Sequence, residues 1–203
     1  MKKNKISKNW IIKQNRDIFV KKSRLEGYRS RAAYKLQEIN NKFKILKNGD
    51  LVIDLGAAPG SWSQFVAKKL KNFKILSIDI NQMEKIPNTF QIIGDFTDVK
   101  YQNQISDYFK KKVDVILSDM AVNTTGNKNL DSIVTGELCL EAMNFSKNML
   151  KTDGKFISKI FMGSSFNNII KKAKENFKET HIFKPAASRK DSKESFLICK
   201  YLR

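Results

Sequence analysis

The stretch Asp50-Leu51-Val52-Ile53-Asp54-Leu55-Gly56-Ala57-Ala58-Pro59-Gly60-Ser61-Trp62-Ser63-Gln64 decides how this chain is read. Leu51 to Leu55 is a short apolar run suited to a buried parallel strand. Gly56 to Gly60 is a turn of small residues. Ser61 and Gln64 then have the Ser-x-x-Gln spacing of a capping box at a helix N-terminus. Trp62, Phe65, Val66 and Leu70 fall on one face of that helix. Strand, glycine turn and helix N-terminus in succession bring bare backbone close to a ligand and aim free N–H groups at it. Taken alone, the same pattern also fits a plain tight turn in any α/β sheet.

The next strand, Lys74 to Ile80, ends in an acid. Asp79 follows Gly60 by 19 residues, the separation at which a carboxylate meets the two ribose hydroxyls of a nucleoside cofactor. NAD enzymes and S-adenosylmethionine enzymes share that arrangement. A pyrophosphate-binding turn needs G-x-G-x-x-G, and Gly-Ala-Ala-Pro-Gly lacks it, so the pattern favours S-adenosylmethionine. Gly56, Pro59 and Gly60 are then candidates to pass close to the amino-acid end of the cofactor. A third strand, Phe90 to Phe96, closes on Gly94-Asp95-Phe96. There Asp95 is placed to accept from an adenine amino group and Phe96 to stack on its ring. A capped turn is the competing reading.

Further strands are expected at Val113–Asp119 and Gly154–Phe161, with helices at about 101–112 and 131–150 and another from Ser164. Two closing strands, about 180–184 and 194–201, have no helix between them, so the second is expected to run antiparallel. The result is a three-layer, Rossmann-like α/β fold with a seven-stranded, mostly parallel sheet and an antiparallel terminal strand. Ligands of such sheets sit outside the strands' carboxyl ends, and Asp54, Asp79, Asp95, Asp119 and Lys159 all fall at or near those ends. Lys159 interrupts an apolar run. An ammonium there must be exposed at the strand end, paired or deprotonated.

The chain has 203 residues, enough for one domain with a full core, and a formal charge of +19. Such basicity suits a polyanionic partner, although a Lys-, Asn- and Ile-rich composition accounts for part of it. Residues 1–40 hold twelve Lys or Arg against three acids. Residues 1–22 read as a basic arm that docks, if at all, through Trp10, Ile11 and Ile12, and residues 23–203 as the catalytic domain. Lys21, Lys22, Arg24, Tyr28, Arg29 and Arg31 mix charge with an aromatic, as contacts to RNA phosphates and a stacked base or sugar would; a solvated loop is the other reading. Arg189 lies in a second basic loop. Ser30 is placed to cap a helix running to about Lys42. No apolar run approaches a membrane span, and no signal-peptide core is present. Cys139 and Cys199 read as buried thiols of a cytoplasmic protein, and His181 as structural.

Several of these residues occur together, and in this order, in one known group. Arg29-Ser30-Arg31-Ala32-Ala33-Tyr34-Lys35-Leu36, Asp54 to Gly60, Ser118-Asp119-Met120-Ala121, Lys159 and Ser188-Arg189 through Glu194 resemble the FtsJ/RrmJ (RlmE) family of ribosomal-RNA ribose 2′-O-methyltransferases. The resemblance runs from about residue 10 to the C-terminus. It implies S-adenosylmethionine as methyl donor, with no metal, and cofactor contacts at Gly60, Trp62, Asp79, Asp95 and Asp119. It also implies a catalytic set of Lys35, Asp119, Lys159 and Glu194 around the target ribose. The implied substrate is a uridine in the A loop of large-subunit rRNA, on the assembled large ribosomal subunit. The protein is expected to be a cytoplasmic monomer with no membrane association.

Lys159 is the candidate general base. A lysine ordinarily holds its proton to about pH 10.4, so this role needs burial and nearby like charge to loosen it. The alternative is a charged Lys159 that stabilises a developing alkoxide. The chain departs from the family at Ser61, where a second glycine is usual, and at Val122, where proline is usual. Other readings are a non-catalytic assembly factor, a methyltransferase acting on tRNA or another RNA, and an NAD-dependent enzyme.

Overall fold

The computed structural model describes residues 16–121 and 128–203. The expectations for Trp10, Ile11, Ile12 and Val122 lie outside them. The first described element is a helix, α1 (Ile18–Leu25), followed by α2 (Ala32–Phe43). Strand β1 (Leu51–Leu55), helix α3 (Ser61–Lys69), strands β2 (Lys74–Asp79) and β3 (Thr89–Ile93), helix α4 (Val99–Phe109) and strand β4 (Val113–Ser118) follow. The chain closes with α5 (Lys128–Met149), β5 (Leu150–Phe161), α6 (Phe166–Asn176), β6 (Phe177–Phe183) and β7 (Glu194–Leu202).

The strands form one seven-stranded sheet in the order β3-β2-β1-β4-β5-β7-β6. The β3–β2, β2–β1, β1–β4 and β4–β5 pairs are parallel. The last strand of the chain, β7, runs antiparallel to both β5 and β6. It is inserted between them, so β6 forms the sheet edge. This reversal matters chemically. A strand laid against its neighbours begins where they end, and Glu194, the first residue of β7, pairs with Phe161, the last of β5. The start of β7 therefore lies on the ligand-binding edge.

Alternation along the strands splits the core into two layers. On one face Ala33, Leu36, Ile39, Trp62, Phe65 and Val66 from α2 and α3 pack on Val52, Ile75, Val115, Leu117, Ile157 and Ile198. On the other, Ile105, Phe109, Met143, Ile169 and Ala173 from α4, α5 and α6 pack on Ile53, Leu55, Leu76, Ile78, Ile116 and Phe156. Each such large side chain contributes roughly 1.5–3 kcal/mol on full burial.

Three local expectations are corrected. The capping box at Ser61 and Gln64 does not form. The N-cap of α3 is Gly60 at φ 101°, without a side-chain cap, a backbone state that favours glycine. Ser61 instead pairs through Oγ with Ser30 Oγ at 2.7 Å, and Gln64 Oε1 accepts the Arg29 N–H at 2.9 Å. The basic stretch around Lys21 is helical rather than a loop. Asp17 starts it, accepting the Phe19 and Val20 N–H groups at 3.0 and 3.3 Å, a side-chain N-cap. Lastly, β5 begins at Leu150, not Gly154, because a register shift against β4 between Val113 and Val115 absorbs residues 151–154 into a bulged strand.

Candidate active site

Two cavities open at the carboxyl edge of the sheet, on either side of one cluster of charges. The first, about 530 Å³, is lined by Gly56, Ala58, Asp79, Asp95, Phe96, Asp119, Met120 and Leu138 among others, a size and mixed lining that suit a small-molecule pocket. Gly56 is required by close approach, since a Cβ there would come within 2.1 Å of the Met120 side chain. Asp79 is held in place by the Ala58 N–H at 3.0 Å and the Asn81 N–H at 2.7 Å. Asp95 forms the capped turn and also faces the cavity. It lines the cavity while one oxygen accepts from Thr97 N and Oγ1 at 3.0 and 2.8 Å. Pro59, Gly60 and Trp62 are not among its lining residues. Trp62 is buried, with its indole N–H donating to Ala32 O at 2.8 Å.

The second cavity, about 370 Å³, is lined by Arg31, Lys35, Arg189, Asp191, Ser192 and Glu194. Between the two stand Lys35, Asp119, Lys159 and Glu194. Lys35 Nζ donates to Glu194 Oε2 at 2.7 Å. Lys159 Nζ lies 2.8 Å from Asp119 Oδ1 and 4.0 Å from Glu194 Oε2. It also donates to the Asp119 backbone carbonyl at 2.8 Å. Asp119 Oδ1 is buried in ionic contact with the same ammonium. Two cations and two anions balance, which is what makes their burial tolerable.

The electrostatics follow from this packing. Burial pushes the Asp119 carboxyl up, but the ammoniums of Lys159 and Lys35 outweigh it and hold it below the usual carboxylate range. Burial pulls the Lys35 ammonium down, but Asp119 and Glu194 outweigh it and hold it above the usual lysine range. Lys35 is therefore a fixed cation and Asp119 a fixed anion.

Helix α2 holds the far cavity together through one stripe. Arg31, Lys35 and Glu38 recur at helical spacing and reach the start of β7 or the segment just before it. Arg31 donates to Ala187 O, Lys35 to Glu194, and Glu38 accepts the Ala186 and Ala187 N–H groups at 2.6 and 2.8 Å. Ser188 Oγ donates to Glu194 Oε1 at 2.7 Å, so both oxygens of that carboxylate are committed. Glu38 and Ser188 were not singled out from the sequence. The one available signal was the i, i+4, i+7 spacing of Arg31, Lys35 and Glu38.

The basic residues divide. Lys21 and Arg24 are exposed on α1, as is Lys22, which pairs with Glu26 at 3.6 Å. Tyr28 packs edge-on against Tyr34 with the Lys68 ammonium 4.3 Å from its ring centre. Arg31 and Arg189 face the second cavity and share Asp17 as a partner. Arg29 is engaged internally, donating to the carbonyls of Pro59 at 2.8 Å and Lys85 at 3.1 Å. His181 lies against Phe43, 5.4 Å between ring centres. Among the described residues, no group of three or more His, Cys, Asp or Glu has a metal-binding arrangement, and no helix is long and apolar enough to cross a membrane.

The profile of the FtsJ-like methyltransferases matches residues 28–202. The chain belongs to the FtsJ-like methyltransferase family. A ribosomal RNA large subunit methyltransferase E of Pelagibacter ubique is 63% identical over 203 residues, 100% of both chains. The protein of that name in Rickettsia bellii is 45% identical, covering 95% of this chain and 87% of its own. Among solved structures, a ribosomal RNA methyltransferase from Plasmodium falciparum superposes with a TM-score of 0.76 at 36% identity, over 86% of this chain and 98% of its own.

Proposed function

We propose that this protein is an S-adenosylmethionine-dependent enzyme that methylates the 2′-hydroxyl of a uridine ribose in the A loop of large-subunit rRNA, acting as a cytoplasmic monomer on the assembled large ribosomal subunit. One observation carries the reading. Lys35, Asp119, Lys159 and Glu194 form a neutral buried cluster with Asp119 on the wall of one cavity and Lys35 and Glu194 on the wall of the other. The family membership and the names of the relatives support the substrate.

The first cavity fits a nucleoside cofactor. Asp79 takes the ribose hydroxyls, Asp95 and Phe96 the adenine, and Gly56 admits close approach. Gly60, Pro59 and Trp62 act from behind the turn. When bound, S-adenosylmethionine supplies a methyl group already activated on a sulfonium. The chain's own residues must place the acceptor hydroxyl and remove its proton. Placement alone is worth on the order of 7–11 kcal/mol for well-oriented pairs. Lys159 is the general base. Asp119 orients its amine through the 2.8 Å contact, and the free Nζ lone pair accepts the hydroxyl proton as the oxygen takes the methyl group. Lys35 stays charged and stabilises the developing alkoxide, while Glu194 holds Lys35 in line. Lys21, Lys22, Arg24, Tyr28, Arg31 and Arg189 contact the RNA.

The test is ribose-methylation mapping on large subunits incubated with the wild-type protein or Lys159→Ala. One methylated uridine with wild type and a rate lower by roughly 10²–10⁴-fold with the variant are expected. The single-turnover rate should rise with pH along a limb that the variant lacks. Methylation of tRNA instead, or cofactor binding without any turnover, would replace this reading with one of its alternatives.

A further inference from the structure

Arg29 belongs to a basic segment that suits RNA phosphates, yet its side chain is turned inward and is only 15% exposed. The guanidinium spans two different segments. One arm donates to Pro59 O in the glycine turn at 2.8 Å, and the other to Lys85 O, in the loop after β2, at 3.1 Å. Both segments build the same wall of the cofactor cavity. The turn contributes Gly56 and Ala58, and the end of β2 with the start of the loop contributes Asp79, Ile80 and Asn81. The fit has no slack. A Cβ at Gly60 would fall 2.5 Å from Arg29 Nη1 and 2.8 Å from Ile86 Cδ1. Neighbouring bonds seat the same stretch of chain, with the Arg29 N–H on Gln64 Oε1 and Ser30 Oγ on Ser61 Oγ. Among the described residues, the carboxylate in ionic contact with it is Glu84, 3.7 Å away and 90% exposed, a weak surface partner.

We propose that Arg29 is a positioning residue for the cofactor cavity, a clamp that joins the glycine turn to the loop after β2, and not an RNA phosphate contact. The proposal rests on the cofactor reading given above. A planar guanidinium donates to two carbonyls at once in fixed geometry. An ammonium carries the same charge on a single point and reaches only one of them well. The charge-conserving variant therefore separates the two roles.

The experiment compares wild type, Arg29→Lys and Arg29→Met. S-adenosylhomocysteine is titrated calorimetrically, binding to a large-subunit rRNA fragment is followed across a salt series, and thermal unfolding confirms that each variant folds. The clamp weakens S-adenosylhomocysteine binding about tenfold in both variants and leaves the salt slope of RNA binding unchanged. At saturating cofactor the single-turnover rate returns to within about twofold of wild type, which general loss of structure does not allow. The opposite pattern overturns the proposal: unchanged S-adenosylhomocysteine affinity, with the RNA salt slope reduced by roughly 0.7–0.9 in Arg29→Met and kept in Arg29→Lys. Wild-type protein that binds no S-adenosylhomocysteine removes the cofactor reading itself, and the clamp with it.

Discussion

The two cavities are put together in different ways. The cofactor side is local. Asp54, Ser63 and Ser77 are bonded to one another beneath the glycine turn, and Asp79 and Asp95 follow within two strands. The other side is assembled from the ends of the chain, since Lys35 and Glu194 are 159 residues apart. The first half is thus set by strand–turn–helix geometry that a short peptide already encodes. The second exists only after α2 has docked and β7 has reversed into the sheet. Damage to the second should leave the first working.

The largest test of that separation is Glu194→Gln. Glu194 is the carboxylate shared by both lysines, at 2.7 Å from Lys35 and 4.0 Å from Lys159, and it is 8% exposed. Removing its charge leaves two buried ammoniums facing Asp119 alone. Breaking such a pair costs about 3 kcal/mol, to be read from urea unfolding. A misplaced ammonium should slow single-turnover methylation by on the order of 10²-fold. Cofactor affinity should stay within about twofold of wild type. A comparable loss in cofactor affinity would show that the two halves are one unit.

The cofactor half offers a second test through pH. Asp54 is 1% exposed. Burial pushes its carboxyl up to about 7, against the hydrogen bond from Ser63 Oγ at 2.6 Å and with Asp119 repelling its charge. Between the unfolded value near 3.8 and about 7, the native chain therefore holds a proton that the unfolded chain has lost. Stability must fall as pH rises through that window and stay low above it, by about 2–4 kcal/mol in all. Chemical denaturation at pH 5 and pH 8 measures this. Asp54→Asn keeps an acceptor for Ser63 but cannot ionise, so its stability should change less between the two conditions. Equal pH dependence in both proteins would mean that Asp54 does not carry the effect.

The same contrast explains what could be read in the amino-acid order. The parallel strands were legible because each holds a short, largely apolar run with glycine or a charged residue close to its end, and the wall carrying Asp79 and Asp95 came with them. The antiparallel direction of β7 was legible too, because no helix fits between it and β6. Its insertion between β5 and β6 was not, since strand order is settled by packing across the whole sheet. Helix α1 was obscured by its lysines. Two of its four apolar residues, Ile18 and Leu25, stay exposed, so no inward-facing stripe marks it. The capping box at Ser61 was a plausible pattern defeated by one backbone angle. Gly60, at φ 101°, occupies the N-cap position itself. The roles of Glu38 and Ser188 were not legible: the partners of Glu38 lie about 150 residues away, and Ser188, quoted only within a motif, sits in a loop of no regular structure.

Ser61 gives the smallest effect and sits where the two halves meet. Its hydroxyl joins Ser30, just before α2, at 2.7 Å. Ser61 is not among the residues lining either cavity, so its hydroxyl stands outside the site's chemistry. Ser61→Gly deletes one hydrogen bond, worth about 1 kcal/mol, and adds a few tenths for a glycine in the first helical turn. Ser30 is not left unpaired, because its oxygen still accepts the Ala32 N–H at 3.2 Å. The urea midpoint should therefore shift by an amount equivalent to about 1–1.5 kcal/mol, while S-adenosylhomocysteine affinity and single-turnover rate hold within about twofold. If either functional quantity drops further, the Ser30–Ser61 bond transmits position between cofactor turn and α2, and the two cavities are less independent than their construction indicates.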